Sequence, residues 1–339
     1  MKWARFIVVV AVALVAAHAV ILGTLGPTPT GRLLSNLLQF ALPALAALAA
    51  WLRRNEGSEY GRRFWGLMAA AFALWAAGAV GYMYYENILQ RPIPSLSLTD
   101  IPYLSYYLPL AAVVFLWPRG EARRGVDWVR ILDLTQVAIV LTTVYLYYFF
   151  FIASAASSRQ AMLRLGIINL YDLLNLLVVG GFLARWATAQ SLEVRSLFGR
   201  MLTALVVYAL GDGLYTFGLK ETSVGTGTWF DLGYSIPFAV ASVLAATWRQ
   251  PEAEATIIPS AVEAAGERLQ SLLPVMAPLV VLVLAAMIAG QEFDLALVVV
   301  GASILCYSAR LAFTQHLQQQ ALRMQQQSEA RYRELVENM

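Results

Sequence analysis

Apolar stretches of about twenty residues follow one another along this chain from residue 5 to residue 313, separated by short polar connections. A stretch of that length crosses the roughly 30 Å hydrocarbon core of a bilayer as an α-helix. Lipid offers no partner to backbone polar groups, so a segment that crosses it singly must satisfy them internally, as a helix. Ten stretches are legible, at about 5–25, 33–52, 64–85, 100–117, 130–152, 165–184, 199–218, 229–248, 271–289 and 294–313. They predict an all-α integral membrane protein with about ten transmembrane helices. The longest inner connection, Pro251–Gln270, is rich in Ala and Glu and predicts a surface helix.

The pattern changes character at the end of the chain. From Ala302 to Met339 there is neither Gly nor Pro, yet apolar Ala302–Phe313 passes into Gln-rich, charged His316–Met339. Nothing there stops a helix at the bilayer surface. At about 1.5 Å per residue it extends roughly 55 Å, from lipid well into solvent.

Composition narrows the class. At 59% hydrophobic and 13% charged residues, with a mean hydropathy of +0.62, a soluble domain is excluded, since charged residues there approach a quarter. A net charge of +3 invites an anionic partner, but the positions of the cations argue for topology instead. Placing the N-terminus in the cytoplasm puts fifteen loop cations inside: Lys2, Arg5, Arg53, Arg54, Arg62, Arg63, Arg119, Arg123, Arg124, Arg130, Arg185, Arg195, Arg200, Arg249 and Arg268. Five fall outside: Arg32, Arg91, Arg159, Arg164 and Lys220. This is the positive-inside bias of a cytoplasmic membrane protein with both termini in the cytoplasm. No basic stripe is left for nucleic acid. Met1–Leu25 has the basic start of a signal peptide, but its apolar stretch is long for one, and an even span count requires it to remain. The lone Cys306 lies within the last span and reads as a small buried hydrophobe.

An internal duplication is visible. Asn36-Leu37-Leu38-Gln39 returns 133 positions later as Asn169-Leu170-Tyr171-Asp172, and Gly78-Ala79-Val80-Gly81-Tyr82 as Gly211-Asp212-Gly213-Leu214-Tyr215. At an offset of 131, Asp100-Ile101-Pro102-Tyr103 matches Asp231-Leu232-Gly233-Tyr234. The three matches predict two parallel four-span repeats, 1–129 and 130–250, with an inner loop and a terminal hairpin over 251–313 and a cytoplasmic helix over 314–339.

Ionisable groups inside spans are costly and therefore candidates for function. Asp172 and Asp212 read as buried polar anchors, while Glu86, Asp100 and Asp231 stand at the outer ends of their spans. The spacing Asp100-x-x-Tyr103, Asp212-x-x-Tyr215 and Asp231-x-x-Tyr234 puts carboxylate and phenol on one helix face. With Tyr82 they outline an outward-opening, aromatic-walled cavity for a small or lipid-like ligand. The alternatives are helix caps for Asp100 and Asp231, packing hydrogen bonds for Asp172 and Asp212, and interfacial placement for the aromatics. Asp133, close to Arg130, reads as topological or ion-paired. His18 is the only histidine in a span and reads as a packed or interfacial residue. No metal-spaced cluster, phosphate loop or nucleophile elbow is present, so neither catalytic residues nor a metal or cofactor is assigned.

Beyond Arg310, residues Leu317, Ala321, Met324, Ser328, Arg331 and Leu335 recur at heptad spacing. They predict either a single solvated helical linker or, the sharper reading, a marginal parallel two-stranded coiled coil that makes the protein a homodimer. The closing Ser328-Glu329-Ala330-Arg331-Tyr332-Arg333-Glu334-Leu335-Val336-Glu337-Asn338-Met339 resembles the leading helix of PAS domains. That resemblance covers twelve residues. It implies the input region of a bacterial sensory protein of the inner membrane, continuing into a PAS domain and a catalytic output. The output it implies is a GGDEF/EAL cyclic-di-GMP enzyme or a histidine kinase. A secondary transporter is the competing reading, because acids in spans and duplicated halves suit it too. A transporter, however, does not need the uninterrupted C-terminal helix.

Overall fold

A computed structural model describes residues 2–91, 97–116, 128–148, 159–189, 191–221, 225–251, 275–290 and 292–337. Among them every regular element is helical. In order these are α1 (Lys2–Thr24), α2 (Pro29–Arg54), α3 (Glu59–Met83) with a π turn Tyr84–Ile88, α4 (Asp100–Ser105), α5 (Tyr107–Val114) and α6 (Trp128–Tyr148). There follow α7 (Arg159–Ala187), α8 (Leu192–Glu221), a 3-10 turn Trp229–Asp231, α9 (Leu232–Thr247), α10 (Val275–Ile288) and α11 (Phe293–Glu337).

Seven helical segments among the described residues are long and apolar enough to cross a membrane: Lys2–Thr24, Pro29–Arg54, Glu59–Ile88, Leu170–Ala187, Leu192–Tyr215, Trp229–Thr247 and Phe293–Arg331. They mark the chain as a membrane protein. Three of the ten expected spans fall short. The stretch at 100–117 is broken into α4 and α5, because Pro109 has no N–H to give to the carbonyl of Ser105. The other two, Ile131–Tyr147 and Val275–Ile288, are shorter apolar helices. The surface helix expected over Pro251–Gln270 lies outside the described residues apart from Pro251 itself.

The chain divides into two compact units, Met1–Glu121 with Ala155–Arg268, and Ala122–Ser154 with Leu269–Met339. These boundaries cut across those read at 129 and 250, since α6 groups with α10 and α11 rather than with α7–α9.

In the first unit α2 packs on α3 and α9, α8 on α7 and α9, and α1 on α2 and α9. Small residues permit the close approach: Ala46, Ala49 and Ala50 on α2, and Ala69, Ala71, Ala76 and Ala79 on α3, are all buried. Phe64, Phe182 and Phe198 meet edge to face or tilted within 6.5 Å, and Trp65 meets Trp248 edge to face at 5.8 Å.

Two arginines read from the sequence as loop charges have inside work. Arg53, 2% exposed, donates through Nε to the carbonyl of Ala245 at 3.1 Å and through Nη2 to that of Ala246, at the end of α9. Arg185 donates to the carbonyl of Leu116 at 2.8 Å, just past α5. Each anchors backbone carbonyls at or just past a helix C-terminus, where cations are also favoured by the helix dipole.

In the second unit α10 and α11 share a core of Val281, Ala285, Ile288, Ala296 and Val299, joined by Ile139 and Val140 of α6. Helices α6 and α11 are tied in antiparallel register by four contacts. Gln136 donates to Ser303 at 2.6 Å, the Cys306 thiol donates to the Leu132 carbonyl at 3.3 Å, Arg310 pairs with Asp133, and Trp128 stacks on Phe313 at 6.0 Å. Asp133 is thus ion-paired, with Arg310 as a described partner. Beyond Phe313 the side chains from Gln315 to Arg331 are all exposed, while the helix continues unbroken.

Candidate functional site

A cavity of about 270 Å³ lies inside the first unit, between α2, α3, α4, α7, α8 and α9. On α3 the lining residues are Trp75, Ala79 and Tyr82, spaced i, i+4, i+7 along one helix face. On α8 they are Tyr208, Asp212 and Tyr215, at the same spacing and 133 positions later. From α4 come Asp100 and Tyr103, and their counterparts at an offset of 131 are Asp231 and Tyr234. Asn36 and Gln39 of α2, Tyr171 of α7, and Thr99 and Thr226 complete the wall.

The helices are held together at this level by the acids. Asp212, 8% exposed, accepts from Asn175 Nδ2 at 2.7 Å and from the Tyr234 hydroxyl at 2.9 Å, while Asn175 in turn accepts from Tyr107 at 2.7 Å. Asp231, 3% exposed, accepts from Ser35 Oγ at 2.5 Å and from the Gly227 amide at 2.8 Å. Asp100 accepts from the Ser97 amide at 2.8 Å and from the Tyr171 hydroxyl at 2.9 Å. Neither Asp100 nor Asp231 caps its own helix. Each reaches across to another: Asp100 to α7, Asp231 to α2.

Gly227 can serve Asp231 because its φ of +90° turns its amide inward, a conformation that side chains oppose. Behind Asp231, a buried chain runs from Ser35 through His18 to Ser235, with both ring nitrogens within 2.8 Å of a hydroxyl. Ser35 gives its proton to the carboxylate, so His18 donates to Ser35 through Nε2, while its Nδ1 shares a hydrogen bond with the Ser235 hydroxyl. The imidazole thereby joins α1, α2 and α9, a packed role for His18.

Tyr82, Tyr103, Tyr215 and Tyr234 line the cavity, as do Asp100, Asp212 and Asp231. Two predicted residues do not. Glu86 sits on the π turn and accepts from Asn36 Nδ2 at 2.7 Å, so it orients a wall residue without being one. Asp172 is partly buried on α7, where its neighbour Tyr171 lines the cavity and Asn175 holds Asp212. Trp75, Tyr171 and Tyr208 escaped the sequence reading. Stepping back four residues from Asp212 finds Tyr208, and subtracting the repeat offset then finds Trp75, which meets Tyr103 at 4.6 Å and Tyr208 at 5.0 Å. Tyr171 carries no such signal.

On α11, Leu317 and Met324 are exposed, as the whole seam is as far as Arg331, and the Leu335 side chain lies outside the described residues. Among the described residues no group of three or more His, Cys, Asp or Glu could hold a metal ion.

Truncating Asp231 to alanine strands a buried hydroxyl and a buried amide, at a cost of about 2–3 kcal/mol. We expect the apparent melting temperature of the detergent-solubilised protein to fall by roughly 5 °C. Asp231→Asn, which keeps one acceptor oxygen, should fall by less.

The fold and site define a helical membrane protein with an aromatic-walled cavity that carries carboxylates. No protein-family model matches the chain, nor does any curated protein or solved structure.

Proposed function

We propose that this chain is the membrane-embedded input module of a bacterial sensory protein. It sits in the cytoplasmic membrane with both termini inside and crosses it about ten times. Two parallel four-span repeats form the sensing body. A small-molecule or lipid-like ligand in the cavity favours one packing of these halves, and the last span carries the change to a PAS domain and a catalytic output, most simply one that turns over cyclic di-GMP. Such a ligand shifts the equilibrium only by its differential affinity for the two packings.

The observation that carries this reading is α11: one helix of 45 residues whose first half packs on α6 and α10 and whose second half is bare. A polar helix of that length gains little stability alone, and a facing copy along the heptad seam would cover Leu317, Ala321, Met324 and Ser328. The paired lining positions, at offsets of 133 and 131, support the duplicated body. In this reading the cavity lies where the halves meet.

A cysteine scan tests the helix. In a Cys306→Ser background, single cysteines at Leu317, Ala321, Met324 and Ser328 should cross-link two copies in membranes under mild oxidation. Cysteines at Gln319 and Gln326 should cross-link several-fold less. Uniform or absent cross-linking along 317–328 would sink the dimeric signalling helix.

A further inference from the structure

We infer that the cavity takes a small organic cation, a compound bearing a primary or quaternary ammonium group. The inference rests on the sensory reading and names its ligand class. Asp100, Asp212 and Asp231 all face the cavity, and among the described residues no Lys, Arg or His lines it. The donors that hold these carboxylates are neutral: amides, hydroxyls and an Asn side chain. Such donors keep the acids poised as acceptors and bring no positive charge of their own. Charge buried away from water without a counter-charge is expensive, and an entering cation removes that penalty.

The walls select the kind of cation. Seven aromatic residues line the space, Trp75 at their centre, and aromatic faces attract ammonium groups, most strongly when both are desolvated. The acids are also too dispersed for a bare metal ion, since no group of three metal-binding side chains assembles among the described residues. At about 270 Å³ the cavity holds the liquid volume of about nine waters. That suits a molecule on the order of ten non-hydrogen atoms. Where α3 presents the methyl of Ala79, α8 presents Asp212 at the matched position, so Asp212 makes the two halves differ in charge and marks the ammonium site.

Titration calorimetry on the detergent-solubilised chain tests this, with choline chloride and putrescine as probes and sodium chloride and sodium octanoate as controls at equal ionic strength. We expect one of the two amines to bind, with at least tenfold weaker binding in Asp212→Asn and unchanged binding in Asp294→Asn at the exposed start of α11. If Asp212→Asn fails to fold, Asp100→Asn carries the same expectation. Repetition in phosphatidylcholine and phosphatidylglycerol nanodiscs separates sources. Loss of choline binding only in phosphatidylcholine identifies a lipid headgroup; equal binding identifies a free solute. Binding of octanoate in place of either amine overturns the cationic class but leaves a ligand-sensing cavity standing. Binding of an amine that ignores both Asp212 and Asp100, or no binding of any probe, overturns the site. The signalling helix is judged separately by the cysteine scan.

Discussion

Replacing Gly211 with alanine is expected to lower the apparent melting temperature of the solubilised protein by roughly 6–10 °C, while Gly213→Ala on the same helix leaves it unchanged or slightly raised. Helices α8 and α9 approach each other backbone to backbone at Gly211 and Gly233. A Cβ on Gly211 would overlap the carbonyl oxygen of Gly233 and stand 2.8 Å from its carbon. That carbonyl is already displaced from ordinary helical bonding, because the residue four positions on is Pro237, which has no N–H. No side chain can swing aside to make room, so the two helices must part along their length. Overpacking of this kind costs about 3 kcal/mol or more. Gly213 has nothing within 4 Å of its would-be Cβ. There alanine adds only helix propensity, up to about 1 kcal/mol. Equal melting temperatures for the two variants would refute the close approach.

The second large effect concerns α11. With residues 1–339 fused in register to a diguanylate cyclase reporter, inserting one residue after Gln319 turns everything downstream by about 100°. Seven residues restore the heptad face. We expect the one-residue insertion to change cyclase activity about tenfold, in either direction, and the seven-residue insertion to return it to the parent value. Indifference to both would mean that the helix is a passive tether. The ties between α6 and α11 all lie at or before Phe313, so the insertion leaves Arg310–Asp133 and Gln136–Ser303 untouched.

The cavity shows how far one-dimensional patterns reach. The three Asp-x-x-Tyr pairs are legible as residues, and each contributes to the wall, because a helix places positions three apart on one face. The partners of those acids are not legible. Asp231 looks like the first residue of a helix, for which capping is the ordinary role. Its Oδ2 instead serves both Ser35, on a helix nearly two hundred residues earlier, and the amide of Gly227. Asp172 and Glu86 were equally plausible by composition. Rotation of α7 and the π turn after α3 put Tyr171 and Asn36 on the cavity in their place.

Sequence alone was enough for whatever depends on transfer from water to lipid and on local backbone rules. Apolar runs of spanning length, the helical class and the unbroken exit of α11 follow from burial and from the absence of Gly and Pro after Gly301. Only the tertiary structure decided matters that depend on two distant segments meeting. It sent α6 to join α10 and α11 and gave the buried Arg53 and Arg185 to helix-end carbonyls. It also separated Gly211, where no Cβ fits, from Gly213, where one does. Hydropathy measures each residue against its solvent. Which carbonyl, hydroxyl or ring fills the last few ångströms is set by packing between helices, which no single stretch of the chain encodes.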